Sequence, residues 1–139
     1  RQMCIRDRAD RLAFVSGKLY YDLLAHREEL PAREKNKVAL VRVEQLYPYP
    51  KHKLLEVLQQ AKSLKSVVWA QEEPQNMGSW HYIFHPLRET MDDAGHSQVD
   101  FSYVGRRFRA SPATGSLAIH QNEQKEIVER VFSLKKGSQ

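Results

Sequence analysis

The sequence predicts an α/β fold: an open, mostly parallel sheet with helices on both faces. Two observations carry this. Short apolar runs alternate with amphipathic stretches in the order β-α-β-α-β-α-β-α, the pattern of strands joined by helical crossovers. The run Val38–Ala39–Leu40–Val41–Arg42–Val43 is nearly continuous in its apolar character, as expected of a central parallel strand buried on both faces.

The elements follow in order. Arg1 to Arg8 show no periodicity and are expected to be a non-native or disordered extension, and Cys4 is set aside with them. A single compact domain is expected over residues 9–134. Leu12–Ala13–Phe14–Val15 is the first strand, closing in the turn Ser16–Gly17–Lys18. Leu19, Leu23, Leu24 and Leu30 then recur at near-helical spacing, and Pro31 to Lys37 form a charged loop. After the second strand, Tyr47–Pro48–Tyr49–Pro50 is held in extended or turn geometry, because each proline restricts its predecessor. Leu54, Leu55, Leu58 and Ala61 mark the second helix. Val67–Val68–Trp69–Ala70 is the third strand, ending in Gln71–Glu72–Glu73–Pro74.

A third helix is expected after Asn76, a competent N-cap. Its apolar face is Trp80, Ile83, Phe84, Leu87 and Met91, and Pro86 should kink it or bound its first half. Asp92 to Gln98 is a polar loop. Val99, Phe101 and Tyr103 alternate with polar residues as a fourth strand with one wetter face. A Pro/Gly/Ser-rich loop runs from Gly105 through Ser116, and Ile127, Val128, Val131 and Phe132 mark the last helix. The tail 135–139 is expected to fray.

The residue content narrows the functional classes. With 41% hydrophobic and 28% charged residues the chain reads as an ordinary globular domain, and no apolar run approaches the length of a membrane span. One cysteine in 139 residues excludes an internal disulfide framework and a cysteine-based zinc site. The net charge of +5 is spread along the chain without a nucleic-acid-reading motif, so no nucleic-acid partner is expected. The tightest basic cluster, Arg106, Arg107 and Arg109, reads either as an anion or partner contact or as a solvated loop.

Candidate chemistry is sparse. Glu72 and Glu73 are adjacent, so on a strand they point to opposite faces and make a poor acid–base couple. His81 and His85 have the i, i+4 spacing of a helical metal pair, but Tyr82 stands where the zinc-protease pattern needs glutamate, and no metal is expected. Ser111 lacks the strand–turn–helix setting of a hydrolase nucleophile, and no glycine-rich dinucleotide or phosphate-loop fingerprint occurs. No catalytic residue is assigned. Open α/β sheets bind ligands beyond the carboxyl ends of their strands, where strand order reverses. At those ends Lys18 and the Gly78–Ser79 helix start pair a cation with unpaired helix N–H groups, a combination suited to phosphate. The alternative is a lysine lying in solvent beside an ordinary helix start.

Several stretches together resemble one family. They are Ser16–Gly17–Lys18–Leu19–Tyr20–Tyr21–Asp22–Leu23–Leu24, Val41–Arg42–Val43–Glu44–Gln45–Leu46–Tyr47–Pro48, and Gln71 through Trp80. Tyr103–Val104–Gly105–Arg106–Arg107, Ser111–Pro112–Ala113–Thr114–Gly115 and His120–Gln121 continue the series. In this order, from about Leu12 to Phe132, they resemble the C-terminal region of the decarboxylating (first) component of 2-oxoglutarate dehydrogenase. The resemblance implies a transketolase-type C-terminal domain. The parent enzyme oxidatively decarboxylates 2-oxoglutarate in the tricarboxylic acid cycle and succinylates the lipoyl group of a second component. It implies thiamine diphosphate and magnesium bound outside this chain, a fragment inactive alone, and packing against upstream domains and the second subunit of a homodimer. The lipoyl-bearing succinyltransferase is the further partner. An allosteric acetyl-CoA or nucleotide site is implied at Lys18, Gln71, Gly78 and Ser79. The setting is a bacterial cytoplasm, or the mitochondrial matrix for a eukaryotic source. The alternative is a freestanding α/β module that binds acyl-CoA or a nucleotide.

Overall fold

The computed structural model describes residues 8–106 and 117–134, with the side chains of 117–120 left aside. Nine elements occur among them: β1 (Arg11–Val15), α1 (Leu19–Glu28), α2 (Ala32–Lys35), β2 (Val38–Arg42), α3 (Lys51–Gln60), β3 (Ser66–Pro74), α4 (Trp80–Asp93), β4 (Asp100–Arg106) and α5 (Leu117–Phe132). Four strands form one sheet in the order β2-β1-β3-β4, and every pair is parallel. Val15 stands level with Arg42 on one side and Ala70 on the other.

Because strand side chains alternate between faces, each strand feeds two cores. Leu12, Phe14, Ala39, Val41, Val67 and Trp69 point to one face, where they pack with Leu54 and Leu58 of α3 and Ile83, Leu87 and Met91 of α4. Ala13, Val15, Val38, Val68, Ala70 and Val104 point to the other, against Leu19 and Leu23 of α1 and Ile127, Val128 and Val131 of α5. The sheet is therefore covered on both sides, but β2, expected at its centre, is an edge strand paired with β1: its apolar run reflects helices packed on both faces, and Arg42 at its end is exposed. Arg11 pins the last helix from the amino end of the sheet. Its guanidinium donates to the carbonyls of Arg130, Val131 and Ser133 at 2.9–3.2 Å, satisfying the end of α5. Burial lowers the pKa of this arginine, with Asp100 opposing the shift.

Strand β3 runs through Ala70 to end at Pro74, as expected, with β4 following it outward across a register irregularity. Three local expectations need correction. The charged stretch after Pro31 contains the short helix α2, with Pro31 in the position that precedes its first turn. Helix α4 runs unbroken through Pro86. The Pro86 carbonyl accepts from the Thr90 hydroxyl at 2.8 Å and the Tyr49 hydroxyl at 3.2 Å, while Ile83, Leu87 and Met91 hold the helix to the sheet. Phe84, expected on the buried face, is 46% exposed. Helix α3 explains this: the bonds Tyr49 to Thr90, Lys51 to Asp93 and His96 to the Leu58 carbonyl set α3 beside the second half of α4. The first half projects beyond it.

Candidate functional site

The reversal of strand order falls between β1 and β3. From β1 the chain passes through α1 to β2 on one side; from β3 it passes through α4 to β4 on the other. The helices leave on opposite faces of the sheet, so the two loops separate at this point and their helix N-termini flank the gap. The sequence-predicted residues Lys18, Gln71, Gly78 and Ser79 all lie on these two loops.

On the β1 side, Gly17 has φ +76°, and a Cβ there would meet nothing within 4 Å. Lys18 occupies the position before the first turn of α1 and is exposed. Its ammonium has no ion pair among the described residues. Asp22 follows one turn later on the same helix, so the field here is mixed in sign.

The β3 side is organised by Gln71, 2% exposed. Its carbonyl oxygen accepts from the Trp69 indole N–H and from the Trp80 backbone N–H, both at 2.9 Å. Its amide nitrogen donates to the carbonyls of Glu73 at 3.2 Å, Pro74 at 3.0 Å and Met77 at 2.7 Å. Two hydrogens serve three acceptors, so one is shared. The assignment of oxygen and nitrogen is unambiguous, because flipping the amide would set donors against donors and acceptors against acceptors. Gln71 is therefore the cap of α4. Asn76 lies in the preceding turn, and Ser79, the residue before the helix, makes no side-chain cap bond. The expected Asn76 cap is displaced by a side chain nine residues upstream of Trp80.

Gly78 closes this loop at φ +71°. A Cβ there would stand 2.9 Å from Glu73 Oε1 and 3.2 Å from Gln71 Nε2. Next to it the Tyr103 hydroxyl lies 2.6 Å from the Arg106 carbonyl and 3.0 Å from the Glu73 carbonyl, with one proton to donate between them. Burial, first among the causes, pushes this phenol up to about 12. Gly105 must lack a side chain, since a Cβ would overlap the Tyr103 phenol and come 2.7 Å from the Gln71 carbonyl.

Arg106 is drawn inward. It donates to the Glu72 carbonyl at 2.9 Å, and its Nε lies 3.0 Å from Glu123 Oε1, with the two side chains 10% and 23% exposed. Gln124 extends the network by donating to Asp22 at 3.0 Å and Glu72 at 2.9 Å. The guanidinium thus ties β4 to β3 and α5. Arg107 and Arg109 lie outside the described residues, as do Cys4, Ser111–Gly115 and the 135–139 tail. Glu72 and Glu73 play separate roles: the first carboxylate accepts from Gln124, while the second residue offers its carbonyl to Gln71 and Tyr103. His85 pairs with Glu89 at 3.3 Å on the exposed side of α4.

Among the described residues no group of three His, Cys, Asp or Glu comes together. No catalytic step is assigned to the described residues. No helix among those residues is long and apolar enough to cross a membrane.

Sequence reasoning missed Tyr103, Asp22, Glu123 and Gln124. It also missed Arg42, whose guanidinium lies 5.5 and 5.1 Å from the Tyr20 and Tyr21 ring centres and 3.2 Å from Glu44. Arg42 carried a signal: it is the one charge inside the apolar run of β2. The others carried none, because their partners come from distant elements.

The family model described as "2-oxoglutarate dehydrogenase C-terminal" matches residues 2–132. The chain is 39% identical over 130 residues to the 2-oxoglutarate dehydrogenase E1 component of Geobacillus sp. (strain WCH70), covering 94% of this chain and 13% of that protein. It is 39% identical over 127 residues to the protein of the same name from Azotobacter vinelandii, and 40% over 127 residues to that from Cupriavidus necator. Each of these covers 91% of this chain and 13% of the relative. A match over nearly the whole chain, on a four-stranded parallel sheet of the expected architecture, places it: the chain belongs to the 2-oxoglutarate dehydrogenase C-terminal family.

Proposed function

We propose that this chain serves as the C-terminal domain of a 2-oxoglutarate dehydrogenase E1 component, where it packs against the rest of the enzyme and carries an effector site. The parent enzyme decarboxylates 2-oxoglutarate oxidatively and passes the succinyl group to the lipoyl arm of a succinyltransferase. Thiamine diphosphate and magnesium are held by other parts of that polypeptide, in a homodimer of the bacterial cytoplasm. The support is the family match together with relatives of that name, of which this chain spans 13%.

The effector site lies beyond the carboxyl ends of β1 and β3, and its ligand is an acyl-CoA such as acetyl-CoA, or a nucleotide. One observation supports this reading: the strand order reverses between β1 and β3, and the exposed Lys18 at the start of α1 and Gly78–Ser79 before α4 lie on the two loops that follow these strands. Helix N-termini favour negative charge, and a lysine adds a mobile cation suited to phosphate. Gly17, with open space around it, leaves backbone free for a close approach, while Gly78 lets its loop fold tightly onto Glu73 and Gln71. Gln71 contributes by fixing the shape of the loop, since its polar atoms are already engaged. Ser79 keeps its hydroxyl outside the cap. Arg106 sets the β4 end of the gap, and Arg107 follows it in sequence as a further anion or partner contact.

Acetyl-CoA titrated against the intact parent enzyme and its Lys18→Ala form tests the site. A right-shifted activation curve for the variant is the expected result. Superimposable curves end the assignment of Lys18.

A further inference from the structure

The surface around the first half of α4 has a composition unlike the rest of the chain. Tyr47 is 81% exposed, Phe84 46% and Tyr82 42%, and the Tyr47 and Tyr82 rings meet edge to face with centres 6.4 Å apart. Trp80 leans on Phe84 and on Phe101 of β4, and Phe84 stacks on Phe101 at 5.9 Å. The two segments that build this surface, residues 45–50 and 74–87, contain no Asp, Glu, Lys or Arg, although 28% of the chain is charged. Exposed aromatic rings on segments without Asp, Glu, Lys or Arg are the composition of an interface core. Three observations narrow the occupant. The cations that flank these segments, Lys51 and Arg88, are paired with Asp93 and Asp92, which disfavours an anionic ligand at the rings. A membrane surface would call for a basic rim beside the aromatics, and these two cations are already paired with carboxylates. Tyr82 and Phe84 stand on the first half of α4, and Tyr47 of the loop before α3 meets Tyr82, a ridge of rings suited to a groove on a protein.

We infer that this ridge, Tyr47 with Tyr82 and Phe84, is the docking surface for another folded part of the same E1-type polypeptide. The inference rests on the reading of the chain as one domain of such an enzyme. Relatives in which this domain is 13% of the length supply the rest of the polypeptide at fixed stoichiometry. Charge depletion is the mark of permanent contacts, which never face water alone. A standard interface takes about 800 Å² from each partner, roughly a tenth of the 8584 Å² surface of this chain. A cluster of three exposed rings and their neighbours suits that size.

Hydroxyl-radical footprinting reads the ridge directly, because the radicals oxidise exposed aromatic rings. Two samples are compared: the 139-residue chain, and the same chain in place of the matching segment of the Azotobacter vinelandii relative. Tyr21, 52% exposed on α1, is the internal control. The expected result is several-fold slower oxidation of Tyr47, Tyr82 and Phe84 in the chimera, with Tyr21 unchanged. Equal rates in a chimera that turns over 2-oxoglutarate overturn the ridge while leaving the enzyme reading intact. A protected ridge in a chimera without turnover does the reverse. Concentration-dependent protection of the chain alone, with a dimer in sedimentation, makes a second copy the occupant and also overturns the proposal.

Discussion

The two loops that flank the strand-order reversal begin alike and end differently. Each follows a strand at the carboxyl edge of the sheet, each contains a glycine with positive φ, and each opens into a helix. The β1–α1 turn is three residues, a half-buried Ser16 followed by exposed Gly17 and Lys18, with open space around Gly17. The β3–α4 loop is longer and internally closed, with Gln71 satisfying two N–H groups and three carbonyls from within. One loop is open to solvent; the other is closed by its own hydrogen bonds. A site needs both, since a cation on a mobile stem gains selectivity only against a surface that does not yield.

Gln71→Ala breaks this contrast most severely. It leaves the Trp69 indole N–H, the Trp80 N–H and three carbonyls short of partners in a buried place. Each orphaned group costs about 1–3 kcal/mol, so a loss of about 3 kcal/mol or more is expected even where water repairs part of the damage. Urea unfolding followed by tryptophan fluorescence measures it. A loss below about 1 kcal/mol would mean that the loop does not depend on the amide.

The glycines sharpen the comparison. Gly17→Ala meets only the backbone cost of a left-handed conformation, about 1 kcal/mol. Gly78→Ala meets that cost and a Cβ 2.9 Å from Glu73 Oε1 and 3.2 Å from the Gln71 amide. Its expected loss is about 2–3 kcal/mol. The difference between the two variants isolates the close approach from the shared φ, and equal losses would show that Glu73 simply swings aside.

A smaller effect should appear at high pH. Tyr103 ionises near 10 when unfolded, and burial raises it to about 12 in the folded chain. Between those values the unfolded state releases the proton first, so the stabilising contribution is complete below pH 10 and is lost as pH rises toward 12. The ring is only half-buried, and solvent screening keeps the effect below the face value of the shift. Melting temperatures measured from pH 9 to 11.5 should therefore fall more steeply for the parent chain than for Tyr103→Phe. Parallel slopes would remove Tyr103 from the loop's support.

How far the sequence foretold these features depends on the range of the forces involved. The alternation of strands and helices was legible because a largely buried strand writes itself as an apolar run, as Leu12–Val15 of β1 does. The place of the reversal was not legible: four strand ends were candidates, Lys18 with Gly78–Ser79 was singled out for its chemistry, and the strand order comes only from the pairing of strands distant in sequence. Gln71 was expected as a polar contact in an effector site, and its buried role in shaping the loop was not foreseen. Its partners are backbone atoms at Met77 and Trp80, positioned only once the loop has closed. Asn76 had the right chemistry for a cap and lost the place to a side chain already buried beside Trp69. Phe84 was assigned to the core because periodicity tells which residues share a helix face, not where the neighbouring helix starts. Arg106 read as part of a basic cluster, while Glu123 and Gln124, which hold it, lie 17 and 18 residues further along.

Lys18 gives the smallest stability effect and the most pointed test of the contrast. An exposed lysine with no ion pair among the described residues should contribute within about 0.5 kcal/mol, so Lys18→Ala should unfold at almost the parent's urea midpoint. On the proposed effector site, its effect should fall on ligand affinity. A lysine–phosphate contact is charge-assisted and partly screened, and its loss should weaken acetyl-CoA by about tenfold at low salt and by less as salt rises. Isothermal titration at two ionic strengths separates the cases. Weaker binding with unchanged stability assigns the lysine to the ligand. Lost stability with unchanged binding would mean that the β1–α1 turn, open as it looks, is held by the same kind of internal bonding as its neighbour.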